Sequence, residues 1–337
     1  MKILVTGGAG FIGSRLIRGW LDADSRLSIV NLDKLTYSGD LARLRGMETH
    51  PRYRFFKGDV CDVPAVEKAL DRCDGVVHLA AETHVDRSLL DAKVFFDSNT
   101  YGTYVLLEAA RKKGVQRFVY VSTDEVYGSR ATGFFREKDG LNPSSPYSVS
   151  KAAADLLALS YVPTHSLNVV VTRGSNTFGP YQYPEKLIPL FVSNALSDQA
   201  LPLYGNGLQV RNWIHVDDHA RGIIHAFKKG RKGEVYNISS RTYLTNIDLT
   251  RRLLKLIGKS TSLIQKVKDR PGHDKRYALD CSKLKKLGWK EKNSFNDAFA
   301  ETVRWYRENR AWWEEIKEKQ NHFKEYYAKA YAERFQR

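Results

Sequence analysis

The sequence predicts an α/β fold: a doubly wound parallel sheet followed by a smaller C-terminal lobe. Three observations carry this. Short apolar runs alternate with amphipathic segments through the first half, a glycine-rich turn follows the first run, and the pattern loosens after Gly174. With 337 residues, 42% of them hydrophobic and 12% aromatic, the chain can bury a large core. The expected division is residues 1–174 as the sheet domain and residues 175–337 as mainly the second lobe. Some of the later segments are expected to return to the first domain, and the chain to end in a basic helical tail.

Strands are predicted over 2–6, 28–32, 53–57, 75–79, 117–122 and 168–172. Helical spacing falls between them, over 12–21, 63–70, 99–113 and 148–161. Strands separated by helices imply right-handed βαβ units and a sheet covered on both faces. The run from Gly75 to Ala80 is continuously apolar apart from His78, as such a strand requires. Glycine and proline become frequent from Gly179 through Gly207, where elements shorten. The end of the chain sets Trp305, Tyr306, Trp312, Trp313, Phe323, Tyr326, Tyr327 and Tyr331 among charges, a pattern expected of helices that pack or meet a second subunit.

Composition excludes several classes. No apolar run approaches the ~20 residues of a spanning helix, and a strand-like run from Lys2 leaves no room for a signal peptide. Cys61, Cys73 and Cys281 are far apart and lack ligand spacing, so they are expected as free thiols with no metal. The expectation is a cytoplasmic protein. A formal net charge of +16 admits a nucleic-acid partner or anionic small molecules. After Asp297 the Lys and Arg residues alternate with Glu instead of forming a block, which favours the small molecules over nucleic acid or membrane.

The turn Thr6-Gly7-Gly8-Ala9-Gly10-Phe11-Ile12-Gly13 joins the first strand to the first helix. Gly7 permits the tight turn, Gly10 lets backbone approach a pyrophosphate, and Gly13 allows close helix–strand packing. The helix N-terminus then offers free N–H groups to phosphates. Asp33 ends the second strand, twenty positions after Gly13, where it can accept from the adenosine ribose. Its charge would repel a 2′-phosphate, so NAD is favoured over NADP, although the neighbouring Lys34 works against this. Asp59 and Val60, after the third strand, suit the adenine. The sheet is therefore of Rossmann type, with NAD as its cofactor.

Tyr147 and Lys151 stand four apart, on one face of a helix. A nearby ammonium and the cofactor's positive ring would lower the tyrosine pKa and make it a usable base. Thr123, Asp124 and Glu125 follow the fifth strand at the carboxyl edge of the sheet, where ligands bind in such folds. Thr123 can hold a substrate hydroxyl. Two adjacent acids also occur in solvated turns, but a dehydration needs an acid and a base at neighbouring carbons, and this pair supplies both.

With that turn and that pair, the chain resembles the short-chain dehydrogenase/reductase superfamily, in its extended branch acting on nucleotide sugars. The segment Thr123-Asp124-Glu125-Val126-Tyr127-Gly128 resembles that of the dTDP-glucose 4,6-dehydratases. So do Asp33-Lys34-Leu35-Thr36-Tyr37, the run from Ala80 to Ser88, Tyr181 to Pro189, and Asp269 to Asp274. The resemblance extends from Met1 to about Tyr306 and departs at Gly174, often Cys in the family, and at Asn212, usually Asp.

The resemblance implies conversion of dTDP-glucose to the 4-keto-6-deoxy sugar. Tyr147 removes the 4-hydroxyl proton as hydride passes from C4 to NAD⁺, with Lys151 orienting the ribose and Thr123 bound to the 4-oxygen. Glu125 then takes the C5 proton, Asp124 protonates the leaving C6 hydroxyl, and hydride returns to C6. The same resemblance assigns Phe11, Ile12, Leu79, Ala80, Ala81, Asn99 and Ser122 to the cofactor. It assigns Thr83, Asn176, Lys186, Leu187, Arg211, Asn246, Arg270 and His273 to the substrate-binding lobe's ligand. It also implies a homodimer joined through the helices at 99–113 and 148–161. Two rivals remain: another NAD-dependent nucleotide-sugar enzyme, such as a UDP-sugar 4,6-dehydratase, 4-epimerase or decarboxylase, and a non-catalytic NAD-binding regulator.

Overall fold

The computed structural model describes residues 1–331. Its strands are β1 (Lys2–Thr6), β2 (Ser28–Asp33), β3 (Tyr53–Lys57), β4 (Gly75–His78), β5 (Arg117–Thr123), β6 (Val169–Gly174), β7 (Asn176–Phe178), β8 (Leu201–Tyr204), β9 (Val210–His215), β10 (Val235–Ile238), β11 (Tyr243–Thr245) and β12 (Ile264–Val267). Seven of them form one sheet in the order β10-β6-β5-β4-β1-β2-β3, every pair parallel. The direction of winding reverses between β1 and β4. In such sheets the carboxyl ends at this reversal open a crevice for ligands.

Successive residues along each strand serve opposite cores. Ile3 and Val5 join one core with Leu16, Ile17 and Trp20 of helix Phe11–Ala23 and with Ile223 and Phe227 of helix Val216–Lys229. Leu4 points the other way, into a core shared with Leu106 of helix Gly102–Lys112 and Ala154 and Ala158 of helix Pro146–His165. A strand covered on both faces has no position for a solvated side chain, which is why these segments read as unbroken apolar runs. His78 is fully buried among them, with Thr6 Oγ1 2.7 Å from Nδ1 and Thr103 Oγ1 3.0 Å from Nε2. Burial holds its pKa down at about 3, so this ring is a neutral part of the core.

All six predicted strands are present, with bounds within two residues of expectation. The seventh, β10, was not foreseen, because a four-residue edge strand that completes the sheet after residue 174 has too few positions to display a period. β10 pairs with β6 at one edge of the sheet, and helix Val216–Lys229 packs on β5 and β6. The predicted helix over 99–113 divides into a wider π-type turn, Phe96–Tyr101, and the regular helix Gly102–Lys112.

Beyond β6 a third core forms around Phe178, Phe191, Trp213, Leu253 and Phe299, flanked by the small sheets β11-β9-β7 and β12-β8. The aromatic tail belongs to this core: Tyr306, Trp313, Phe323, Tyr326 and Tyr331 are all buried in it.

Helix Pro146–His165 is tied to the sheet by a buried ion pair. Arg173 on β6 donates from Nε to Asp155 Oδ2 at 2.9 Å and from Nη2 to Oδ1 at 3.0 Å. Removing one partner strands a charge in the interior. Asp155→Asn is therefore expected to cost about 3 kcal/mol or more in urea unfolding. An Asp155→Leu/Arg173→Met double variant should recover most of that loss.

Candidate active site

One long cleft follows the carboxyl edge of the sheet, with a cavity volume of about 350 Å³. At one end is the glycine turn. Gly7 has φ +71°, and a Cβ there would lie 2.6 Å from the Ala80 nitrogen, so only glycine lets β1 and β4 meet at the winding reversal. A Cβ at Gly13 would lie 2.3 Å from the Gly7 carbonyl oxygen, so this glycine lets the helix start against the turn itself. Gly10 precedes helix Phe11–Ala23, and no side chain caps that N-terminus, which leaves its first N–H groups for an anion.

Asp33 is nearly buried, and its carboxylate holds two turns. Oδ2 accepts from Ala9 N and Oδ1 from Leu35 N, both at 2.9 Å. Burial nonetheless lifts its pKa above the ordinary aspartate value. The ammonium of Lys34 lies 2.6 Å from Asp59 Oδ2, so its charge is already paired. Phe11, Ile12, Val60, Leu79, Ala80, Ala81 and Ser122 also line this part of the cleft. Asn99 does not. Its amide is spent behind the wall, accepting from Glu82 N at 2.8 Å and donating to Glu82 O and Ser150 Oγ.

Midway along the cleft, Thr123 ends β5 and caps the short turn Asp124–Tyr127, its hydroxyl accepting from Glu125 N at 3.3 Å. Asp124 is 2% exposed. Its Oδ1 accepts from Thr123 Oγ1 at 3.3 Å, and its Oδ2 has no hydrogen-bond partner among the described residues. Burial, then repulsion by Glu125, holds the Asp124 carboxyl well above the usual range. Glu125 is half-buried and is raised too, by burial, against the pull of Arg270, Lys186 and Arg211. The two acids thus sit in different surroundings, Asp124 buried with a bare oxygen and Glu125 half-buried and facing cations.

Tyr147 and Lys151 face the same cleft from helix Pro146–His165, whose N-terminus is fixed by a reciprocal Ser145–Ser148 capping box. From the chain's own groups alone, burial and then the charge of Glu125 hold the Tyr147 phenol well above its ordinary pKa. Lys151 Nζ donates to Val121 O at 2.7 Å and lies 4.4 Å over the Tyr120 ring. Burial brings the Lys151 pKa down to about 7.

Of the predicted substrate residues, Thr83, Asn176, Lys186 and Leu187 line the cleft itself. Arg211, Asn246, Arg270 and His273 do not line it. Arg211 and Arg270 are near enough for their charges to stabilise ionised Glu125. Arg211 is 4.4 Å over the Tyr277 ring and donates to Asp274 O, while His273 Nδ1 lies 2.6 Å from Asp269 Oδ1. The side chains of Asn176, Asn246 and Arg270 each keep a buried polar atom without a partner among the described residues. Such atoms are costly unless a ligand meets them.

His219 was missed. Its Nδ1 lies 2.7 Å from Thr177 Oγ1, whose own hydrogen goes to Ser175 O, so Nδ1 is the donor and Nε2 is left as a bare acceptor. Burial keeps the ring neutral, with a pKa of about 4. A Cβ at Gly174 would lie 2.3 Å from His219 Cε1, so the imidazole occupies the space of a side chain at 174. No local pattern joins residues 45 positions apart across the sheet. The second departure has its own cause: Asn212 Nδ2 donates to Ser240 O and Thr242 O, both at 3.0 Å, which a carboxylate could not do.

A glycine turn at the winding reversal, with a Tyr-x-x-x-Lys helix beside it, defines an extended short-chain dehydrogenase/reductase. Residues 4–302 match the family model described as GDP-mannose 4,6 dehydratase. The chain is 50% identical over 322 residues to a dTDP-glucose 4,6-dehydratase of Streptomyces niveus, covering 94% of this chain and 96% of the relative. It is 42% identical to the dTDP-glucose 4,6-dehydratase of Escherichia coli, over 94% of this chain and 96% of that one. The structure of a dTDP-glucose 4,6-dehydratase from Streptomyces venezuelae with NAD bound superposes with a TM-score of 0.92 at 50% identity, covering 94% of this chain and 100% of that chain. A UDP-glucose 4-epimerase from Thermus thermophilus in complex with NAD follows at 0.85 and 30%, over 92% and 100%. The chain belongs to the dTDP-glucose 4,6-dehydratase family.

The contact of Gly7 with Ala80 is directly testable. Gly7→Ala adds a methyl at a positive φ and into backbone. It should lower the stability measured by denaturant unfolding by about 2 kcal/mol or more.

Proposed function

We propose that this chain is an NAD-dependent dTDP-glucose 4,6-dehydratase, a lyase that removes water from dTDP-glucose to give the 4-keto-6-deoxy sugar. The observation that carries this is the acid pair in the cleft with Tyr147, Asp124 buried with one oxygen unpartnered and Glu125 half-buried and facing cations. An oxidoreductase or epimerase that stops at C4 has no use for such a pair.

The residues fit NAD. The uncapped helix N-terminus after Gly10 suits a pyrophosphate, the paired Lys34 offers no free charge to a 2′-phosphate, and Asp33 suits ribose hydroxyls. Bound NAD supplies a hydride acceptor for C4 and later the donor for C6. The chain's own groups do the rest. Tyr147 takes the proton of the 4-hydroxyl while Thr123 hydrogen-bonds that oxygen. Positive charge must lower the Tyr147 pKa for this, and the oxidised cofactor brings it to a site whose own groups raise it. The new ketone acidifies the C5 proton, which Glu125 removes. Asp124, kept protonated by burial, gives its proton to the departing C6 hydroxyl, and water leaves.

The support for thymidine over uridine is kinship at 50% identity. We read the cleft as two halves, the sheet domain of residues 1–174 for the dinucleotide and residues 175–337, of which 332–337 lie outside the described residues, mainly for the sugar nucleotide. Three unpaired cysteines support a cytoplasmic setting, and no described helix is long and apolar enough to cross a membrane. We further read the chain as a homodimer. Tyr104 at 46% exposed and Leu156 at 58% leave apolar surface on the helices Gly102–Lys112 and Pro146–His165, where the dimer contact is expected.

Turnover of dTDP-glucose beside UDP-glucose, followed by the absorbance of the 4-keto product, tests the function. An Asp124→Asn/Glu125→Gln variant should still oxidise C4, seen as NADH absorbance, while water loss falls by at least about a thousandfold. Water loss at the wild-type rate in that variant would overturn the assignment. For the assembly, light scattering of the wild type at micromolar concentration should give twice the chain mass. Leu156→Glu should shift that mass toward one chain, and a wild-type monomer would contradict the reading.

A further inference from the structure

Helix Asn321–Tyr331 lies past the family-matched residues, and none of its side chains takes part in the chemistry above. Contacts from its inward face lead, directly or through one or two intermediate side chains, to three segments that each carry a residue assigned above to the sugar nucleotide.

The first is the segment around Thr83. Tyr326 packs edge-on against His84, ring centroids 5.3 Å apart, with its hydroxyl 3.2 Å from Nδ1. His84 follows Thr83 directly and has φ +94°, a conformation that persists only where neighbours hold it. The second is the segment around Lys186. The guanidinium of Arg87 is clamped between two rings, 4.2 Å from Tyr326 and 3.9 Å from Tyr37. Arg87 Nε donates to Glu185 Oε2 at 2.7 Å and the Tyr37 hydroxyl donates to Oε1 at 2.9 Å, so the residue before Lys186 is fixed by both its oxygens. The third leads to Arg270. Tyr331 stacks on Tyr204 at 6.0 Å, Tyr204 donates to Asp86 Oδ2 at 3.1 Å, and Asp86 lies 3.7 Å from Arg270 Nη1.

We propose that helix Asn321–Tyr331 is a positioning wall for the nucleotide-sugar half of the cleft, acting through His84, Glu185 and Asp86 on Thr83, Lys186 and Arg270. It touches no reacting atom. Tyr326 is its central positioning residue, because that one ring serves both His84 and the Arg87 clamp. The glycine turn and Asp33 lie outside these contacts, so the helix sets affinity for the sugar nucleotide without setting affinity for NAD. The proposal rests on the sugar-nucleotide reading of the cleft.

The test uses the full chain with Tyr326→Leu and Tyr326→Phe. Leucine fills the core but removes the ring over Arg87, whereas phenylalanine keeps the ring and loses only the hydroxyl. Calorimetric titration with dTDP should give about tenfold weaker binding for Tyr326→Leu, the scale of a desolvated cation–π contact, and near-complete retention for Tyr326→Phe. NAD⁺ affinity should stay at the wild-type value in both. In turnover of dTDP-glucose, KM should rise as dTDP affinity falls while kcat changes little. Equal dTDP affinity in wild type and Tyr326→Leu overturns the proposal, as does a parallel loss of NAD⁺ affinity. Wild-type turnover with unaltered variants sinks this proposal alone. Failure of the wild type to bind dTDP sinks it together with the reading of the site.

Discussion

Two neighbouring carboxyls, one buried and one half-buried, are the constraint on which the rest of the site depends. Asp124 and Glu125 follow the last residue of a central strand, so the sheet fixes their depth and they cannot retreat to solvent. Burying such a pair is unfavourable unless one acid stays neutral or cations stand nearby. Both remedies are present. Burial pushes Asp124 toward its neutral form, and Arg270, Lys186 and Arg211 stabilise the charge on Glu125. These cations come from the second lobe, so that lobe is an electrostatic partner of the acid pair as well as a wall of the cleft. The arrangement that makes the pair tolerable is also the one that separates an acid from a base.

The sheet was readable because burial on both faces writes a strong signal. Leu4 and Val5 serve different cores, so neither can be polar, and the same holds along Val76 and Val77. The glycine turn was readable for a related reason: a Cβ at Gly7 or Gly13 would strike backbone. The acid pair and the Tyr147–Lys151 helix were readable from spacing and order along the chain, and their proton affinities partly so. Burial of Asp124 follows from its place after a buried strand. The upward shift of Tyr147 does not, because it depends on how deeply the ring is buried and on how near Glu125 comes to it, and both are set by packing between separate segments.

What stayed unreadable lies in contacts between distant segments. His219 meets Gly174 and Thr177 only because helix Val216–Lys229 crosses back under the sheet. Asn99 has the residue type for a cofactor contact, yet the π-type turn that carries it aims its amide at Glu82 and Ser150. A motif fixes which residue stands where in the chain, while the direction of its side chain depends on neighbours contributed from elsewhere.

The basic surplus has the same explanation. Several arginines that contribute to the charge of +16 donate to backbone carbonyls that no strand or helix satisfies. Arg43 reaches the carbonyls of Ala9, Ser38 and Tyr181. Arg52 reaches those of Leu21, Asp24 and Leu27, and Arg117 those of Phe227 and Gly230. A guanidinium has five donors in a fixed fork, so one side chain can close two or three loop carbonyls at once. Arg43 is the clearest case, since it joins the glycine turn at Ala9 to the segment at Tyr181 and so couples the two halves of the cleft. Charge used this way is not free to meet the phosphates of a nucleic acid. The net charge is therefore in part a consequence of how this fold closes its loops.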